Sequence, residues 1–240
     1  MNKLNINIYE KHFGKAKGII KIVPPQGKPV DSYTLAYSAS LHLLVRAKYL
    51  FFATLNESKK KNAYASYVIV RSFFETCMAL GYLSIRLEKK TKEKDLEGIW
   101  KLAHRILQGG KYFPEDEYLK QINKERISAI NVYDYIDEVD KDIRKTGKKD
   151  STYSPHRKMY DTVLSEFGHP NCLGLIICSL LKTDSVGRKY EEIRLGKSIG
   201  KGDKKNYLIY LDWGSVIFFH YWKNLKNIFS IYKLKLPDLD

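Results

Sequence analysis

The sequence predicts an all-α fold: a helical bundle with a short N-terminal arm and a small β-hairpin-like insertion. Three observations predict it. Apolar residues recur at helical spacing over most of the chain. One long segment, residues 63–87, is apolar on every face, which marks a helix packed on several sides. Hydrophobic residues make up 44% of the 240, enough for a buried core and too many for a disordered chain.

Each element has a local reason. Residues 1–30 read as a basic arm with six lysines and one acid. Pro24, Pro25 and Gly27 interrupt any regular element there, and residues 19–23 have the composition of a short strand. Asp31 is an expected N-cap. It starts a helix to about residue 55 with Leu35, Ala39, Leu43, Ala47 and Leu50 on one stripe. The polar run 56–62 suits a turn. The helix over 63–87 carries Tyr64, Tyr67, Val68, Phe74, Met78 and Tyr82 on one side and Ala65, Ile69, Phe73, Leu80, Leu83 and Leu87 on the other. A short turn between two long helices makes an antiparallel pair.

Residues 89–94 form a charged turn, and 96–107 a third helix that Gly109-Gly110 stops. A fourth helix spans about 115–144, acidic on its outer side, with a boundary near Asn131 that the pattern leaves open. Residues 145–154 are a loop. Pro155 suits a helix start, and the helix over 156–167 should end before His169, which Pro170 pushes out of the α region. Residues 172–181 read as a short apolar helix. The stretch 184–206 holds four glycines and alternates weakly, as a hairpin-like insertion would. The last helix, 207–235, is rich in aromatics, with Gly214 as a kink point. Residues 31–240 thus form one helical-bundle domain behind the arm.

Forty-two Lys and Arg against 27 Asp and Glu give a net charge of +15, which favours RNA or another polyanion as partner. The charge is uneven. Residues 182–205 hold eight bases and four acids, whereas 115–142 hold nine acids and four bases. Three cysteines without a C-x-x-C pair exclude a disulfide scaffold and a thiolate zinc site. The start MNKLNINIYEKHF lacks the apolar core of a signal peptide. The apolar stretches 172–181 and 207–222 are too short for a membrane span. A cytoplasmic protein with no metal and no cofactor is therefore expected, with a homodimer as a further state. No P-loop, G-x-G-x-x-G or H-E-x-x-H occurs, and residues 196–202 (GKSIGKG) lack the Walker spacing. His42 with Arg46, and His220, read as packed or half-exposed residues.

Two constellations carry chemistry. Arg71 and Glu75 lie four apart on one face of the apolar helix. Charges there must pair or face a polar pocket. Either they form an ion pair that fixes packing, or Arg71 binds an anion while Glu75 orients it or moves a proton. The second is the run Tyr160 to Asn171. Asp161 and Ser165 lie four apart, and His169 and Asn171 follow at the helix end. These either cap the helix or form a site. Ser165 sits within a helix and not on a strand-to-helix elbow, so a serine triad does not fit.

At these residues the sequence resembles a known set. R-S-F-F-E (Arg71 to Glu75) followed by Y-D-T-V-L-S-E-F-G-H-P-N-C-L-G (Tyr160 to Gly174) is similar to uncharacterised bacterial and prophage helical proteins. They share R-x-x-x-E and, later in the chain, Y-x-x-L-S-E-x-x-H-P-N-x-x-G. The arrangement loosely resembles the HEPN superfamily of helical bundles, which includes RNA-cutting toxins and defence proteins. The usual signature there is Arg followed four to six residues later by His on one helix; here Glu75 follows Arg71, and His169 comes from a distant segment. The resemblance implies an RNA-acting protein, a metal-independent ribonuclease in phage or stress defence. Arg71, Glu75 and His169 would be its catalytic residues and Tyr160, Ser165 and Asn171 its substrate contacts. The other function that fits is a non-catalytic helical interaction module in which the same polar cluster is structural.

Overall fold

The computed structural model describes residues 4–20, 22, 30–108, 130–146, 155–165, 179–193 and 204–239. Among these the chain forms seven α-helices: α1 (Ile6–Lys15), α2 (Ser32–Lys59), α3 (Ala63–Lys92), α4 (Leu96–Gln108), α5 (Val132–Thr146), α6 (Pro155–Met159) and α7 (Lys204–Ile231). One π-helical turn, Tyr160–Leu164, continues α6. Two antiparallel strands, β1 (Ser179–Thr183) and β2 (Lys189–Ile193), pair as a hairpin.

Polar side chains set the helix starts. Asp31 caps α2, accepting the Thr34 N–H at 2.9 Å and the Thr34 hydroxyl at 2.6 Å. The helix runs on to Lys59, because the polar residues 56–59 tolerate an exposed last turn. The chain reverses only at Lys61, with a left-handed φ of 62°. Asn62 then caps α3 through the Ala65 N–H. Residues 89–92, expected as turn, continue α3 instead. Lys89, Lys90 and Lys92 suit the negative end of a helix. Lys94, with φ of 56°, makes the reversal, and Asp95 accepts the Gly98 N–H at 2.8 Å to start α4.

The centre of the bundle is α3, which packs on α2, α4, α5 and α7. Val70, Phe73, Phe74, Cys77, Met78, Leu80, Leu83 and Leu87 are all fully buried. This is the all-round apolar helix that the sequence predicts. Two glycines set how closely its neighbours approach. A Cβ on Gly81 would lie 2.7 Å from Val139 Cγ2 of α5 and 3.0 Å from the Tyr221 ring of α7. Gly214, expected as a kink, sits within an unbroken α7, where a Cβ would meet the Phe73 ring at 2.8 Å. By length and composition α3 is also long and apolar enough to cross a membrane, a test that core helices of soluble proteins pass as well; 61% of the stretch that passes lies buried inside the bundle.

The first thirty residues are more than an arm. Ile6, Tyr9 and Phe13 fall on one face of α1, and Phe13 is fully buried against Phe51, Phe218 and Phe219. Ile19 and Ile20, expected in a strand, are irregular and exposed. Beyond α7 the chain folds back. Tyr37 donates to the Lys235 carbonyl at 2.9 Å, Trp222 Nε1 to the Pro237 carbonyl at 3.2 Å, and His12 hydrogen-bonds the Leu239 carbonyl.

Other boundaries shift. Residues 115–129 of the expected fourth helix lie outside the described residues. Ile130 and Asn131 are not helical, and Asn131 Oδ1 accepts the Tyr133 N–H at 3.0 Å, so the boundary falls there. Residues 179–181, expected as the end of a short helix, belong to β1. The hairpin therefore spans 179–193 instead of beginning at 184. Its turn is built by Asp184, whose Oδ1 accepts the Val186 and Arg188 N–H groups, and by Gly187 at a φ of 82°.

Candidate functional site

Helix α3 presents Arg71 and Glu75 one turn apart. Arg71 Nε donates to Glu75 Oε1 at 2.9 Å. The π turn supplies the third member. Arg71 Nη2 donates to the Tyr160 oxygen at 3.1 Å, and the Tyr160 hydroxyl donates to Glu75 Oε1 at 2.5 Å. The three groups thus form a closed ring of hydrogen bonds. The Arg71 and Glu75 side chains are 21% and 28% exposed, and Tyr160 is buried. The ion pair is neither sealed in the core nor free on the surface. Among the described residues Arg71 Nη1 has no hydrogen-bond partner, whereas Nε and Nη2 are both engaged in the ring.

The electrostatics follow from this geometry. Burial, the hydrogen bond to Glu75 and its negative charge all push the Tyr160 phenol far above its ordinary range, so it remains a donor. Burial alone would lower the Arg71 guanidinium, but the Glu75 hydrogen bond and the neighbouring groups outweigh it and raise its pKa. Arg71 stays charged.

A second layer surrounds the ring. Tyr133 of α5 meets Tyr160 edge to face, with centroids 5.8 Å apart. Arg157 lies over the Tyr133 ring at 3.7 Å. It also pairs with Asp137 at 2.9 Å and Asp161 at 3.1 Å, so two carboxylates already face this cation. Asp140, almost wholly buried, hydrogen-bonds His156 Nδ1 through one oxygen and accepts the Arg157 N–H through the other at 3.2 Å. The carboxylate thereby satisfies an N–H that the start of α6 leaves free. It also fixes the imidazole, with the proton on Nδ1 when the ring is neutral. Among the described residues His156 Nε2 has no hydrogen-bond partner. The ring packs beside Phe74 and Trp213.

Of the residues singled out from the sequence, the structure joins Arg71, Glu75 and Tyr160. Ser165 is not part of the ring: its hydroxyl bonds the Asp161 carbonyl of its own helix at 2.8 Å. His169 and Asn171 lie outside the described residues. Sequence reasoning missed Tyr133, Asp140, His156 and Arg157 as neighbours of the site. Asp140 did leave a signal, since it falls four residues after Ile136 on the buried side of α5, where an acid needs a partner. His42 bonds the Ser38 carbonyl and is exposed, and His220 rests on the Tyr221 ring. Among the described residues no group of three or more His, Cys, Asp or Glu side chains is arranged to hold a metal ion.

No protein-family model, no curated protein and no solved structure matches the chain. The fold defines its class as an all-α helical bundle.

Proposed function

We propose that the protein is a HEPN-like, RNA-acting helical bundle, a metal-independent ribonuclease of phage or stress defence working in the cytoplasm. The observation that carries this reading is that the two motifs meet. Tyr160, which opens the second, lies within hydrogen-bonding distance of Arg71 and Glu75 of the first, although 89 residues separate it from Arg71. Arg71 would hold a phosphate through Nη1, with Glu75 and Tyr160 fixing its plane. Strand cleavage without a metal then needs a general base, a role that an imidazole suits. The base takes the proton of the ribose 2′-hydroxyl, whose oxygen attacks the adjacent phosphorus. The 5′-oxygen leaves and takes up a proton, giving a 2′,3′-cyclic phosphate and a 5′-hydroxyl. His169 is the candidate from sequence. Among the described residues His156, one helical turn before Tyr160 and oriented by Asp140, has the same chemistry.

A specific observation also favours the second reading, a non-catalytic interaction module, with a second copy of the chain as one partner. The hydrogen bonds of the Arg71–Glu75–Tyr160 ring are internal, as in a network that locks helices together. Incubating RNA with wild type, His169→Ala and His156→Ala in the presence of a chelator separates the two. Cleavage by wild type with a loss of about a hundredfold or more in one histidine variant is expected. Wild type that leaves RNA intact would assign the ring to architecture.

A further inference from the structure

A groove along α2 gathers cations. Its cavity of about 770 Å³ lies between α2 and the segment that follows α1, with Pro237 of the C-terminal tail at its border. Lys17, Arg46, Lys48 and His42 line it, and among the described residues no carboxylate does. Two of the cations are held in place. Arg46 Nε donates to Thr76 Oγ1 at 3.0 Å, and Lys48 Nζ donates to the Ala16 carbonyl at 2.5 Å. Each keeps further N–H groups for another acceptor. Between them stand apolar and aromatic side chains that the bundle leaves in water: Tyr49 is 71% exposed, Val45 52% and Ile20 46%.

Fixed cations beside an exposed aromatic ring, in a concave groove whose described lining carries no acid, suit a chain of phosphates whose bases have free faces. We propose that this groove binds single-stranded RNA, with phosphates on Lys17, Arg46 and Lys48 and a base stacked on Tyr49. The proposal rests on the RNA-acting reading above and adds where the strand lies. A lipid surface fits less well, because a flat bilayer seeks side chains that stand proud of a face, whereas these cations line a concavity.

The test is titration of a fluorescent oligouridine of about a dozen nucleotides into wild type, Tyr49→Ala, Lys17→Glu and Lys59→Glu, at several salt concentrations. Lys59 lies at the far end of α2, roughly 15 Å along the helix from Tyr49, and serves as control. Circular dichroism melting establishes that each variant is folded. Tyr49→Ala should weaken binding about tenfold, as expected for one lost stacking contact. Lys17→Glu should weaken it and flatten the slope of log affinity against log salt by roughly 0.7 or more. Lys59→Glu should leave both unchanged. If wild type binds and all three variants bind equally, the groove is overturned while the RNA-acting reading stands. If wild type does not bind at low salt, both fall. Capture of anionic phospholipid vesicles, lost in Tyr49→Ala and Lys17→Glu while the oligouridine is ignored, would overturn the proposal in favour of a membrane surface.

Discussion

Tyr160 has the most specific position at the residue scale. Its ring is buried, and its hydroxyl both donates to Glu75 and accepts from Arg71. Tyr160→Phe keeps the ring and deletes two hydrogen bonds, while Arg71 and Glu75 keep each other. The variant should lose about 1–2 kcal/mol in urea unfolding. Paired with Arg71→Ala it should show a non-additive coupling of about 0.5–1 kcal/mol or more. Additive losses would mean that the hydroxyl is not tied to the guanidinium. The sequence shows why Arg71 and Glu75 need partners, because charges on an apolar helix are costly alone. It does not show that the partner is a tyrosine hydroxyl from a π turn. A turn of that kind depends on one extra residue accommodated by tertiary packing, to which helical periodicity is blind. Asp140 and His156 escaped for a related reason. His156 looks ordinary within its own helix, and although Asp140 on the buried side of α5 signals the need for a partner, only the packing of α6 on α5 shows which one.

At the scale of elements, the long helices were legible because propensity, periodicity and caps agree. Asp31 marks the start of α2 in the sequence, the polar run 56–62 divides its pattern from that of α3, and the apolar stripes of both helices are unbroken. The ends were less so, because lysine-rich last turns and charged turns have the same composition. α1 leaves a weak signal in the sequence because ten residues with a single buried face offer few periodic positions. Residues 179–181 are ambiguous in the sequence because an apolar run that short fits either a helix or a strand, and pairing with β2 makes them strand. The close packing of α3 yields a direct prediction. Gly81→Ala would gain up to about 1 kcal/mol of helix propensity. It also drives a methyl group into Val139 and Tyr221, an overpacking that costs about 1–3 kcal/mol. A net destabilisation of about 1 kcal/mol is expected in thermal or urea unfolding. A stabilised Gly81→Ala would mean that α5 and α7 do not approach α3 as closely as described.

For the whole molecule, tyrosines buried between helices couple stability to alkali. Burial, with Tyr82 and Asp134 nearby, pushes the Tyr135 phenol up to about 12, and burial with Asp142 raises Tyr221 still further. Above pH 10, the ordinary tyrosine value, the unfolded chain sheds these protons while the folded one keeps them. The unfolded state therefore binds fewer protons, and stability falls as pH rises. The Tyr135 contribution is complete below pH 10 and is lost through about pH 12, and that of Tyr221 is lost at higher pH still. Titration followed by phenolate absorbance and far-ultraviolet circular dichroism should show a class of tyrosines that ionises late, together with loss of helix. Simple titration of all 18 tyrosines near pH 10 would contradict the burial pattern.

Whether the meeting of the two motifs is a site or a strut is the question on which the function turns. The most direct measurement is the rate of RNA cleavage by Arg71→Ala relative to wild type, taken where urea unfolding shows both fully folded. As a phosphate-holding group on a half-open pair, Arg71 should cost about 1–2 kcal/mol of stability and a hundredfold or more in rate when removed. A variant that loses about 3–5 kcal/mol of stability, as a broken buried pair does, yet cleaves RNA at the wild-type rate while still folded would contradict the assignment and make Arg71, Glu75 and Tyr160 part of the architecture alone.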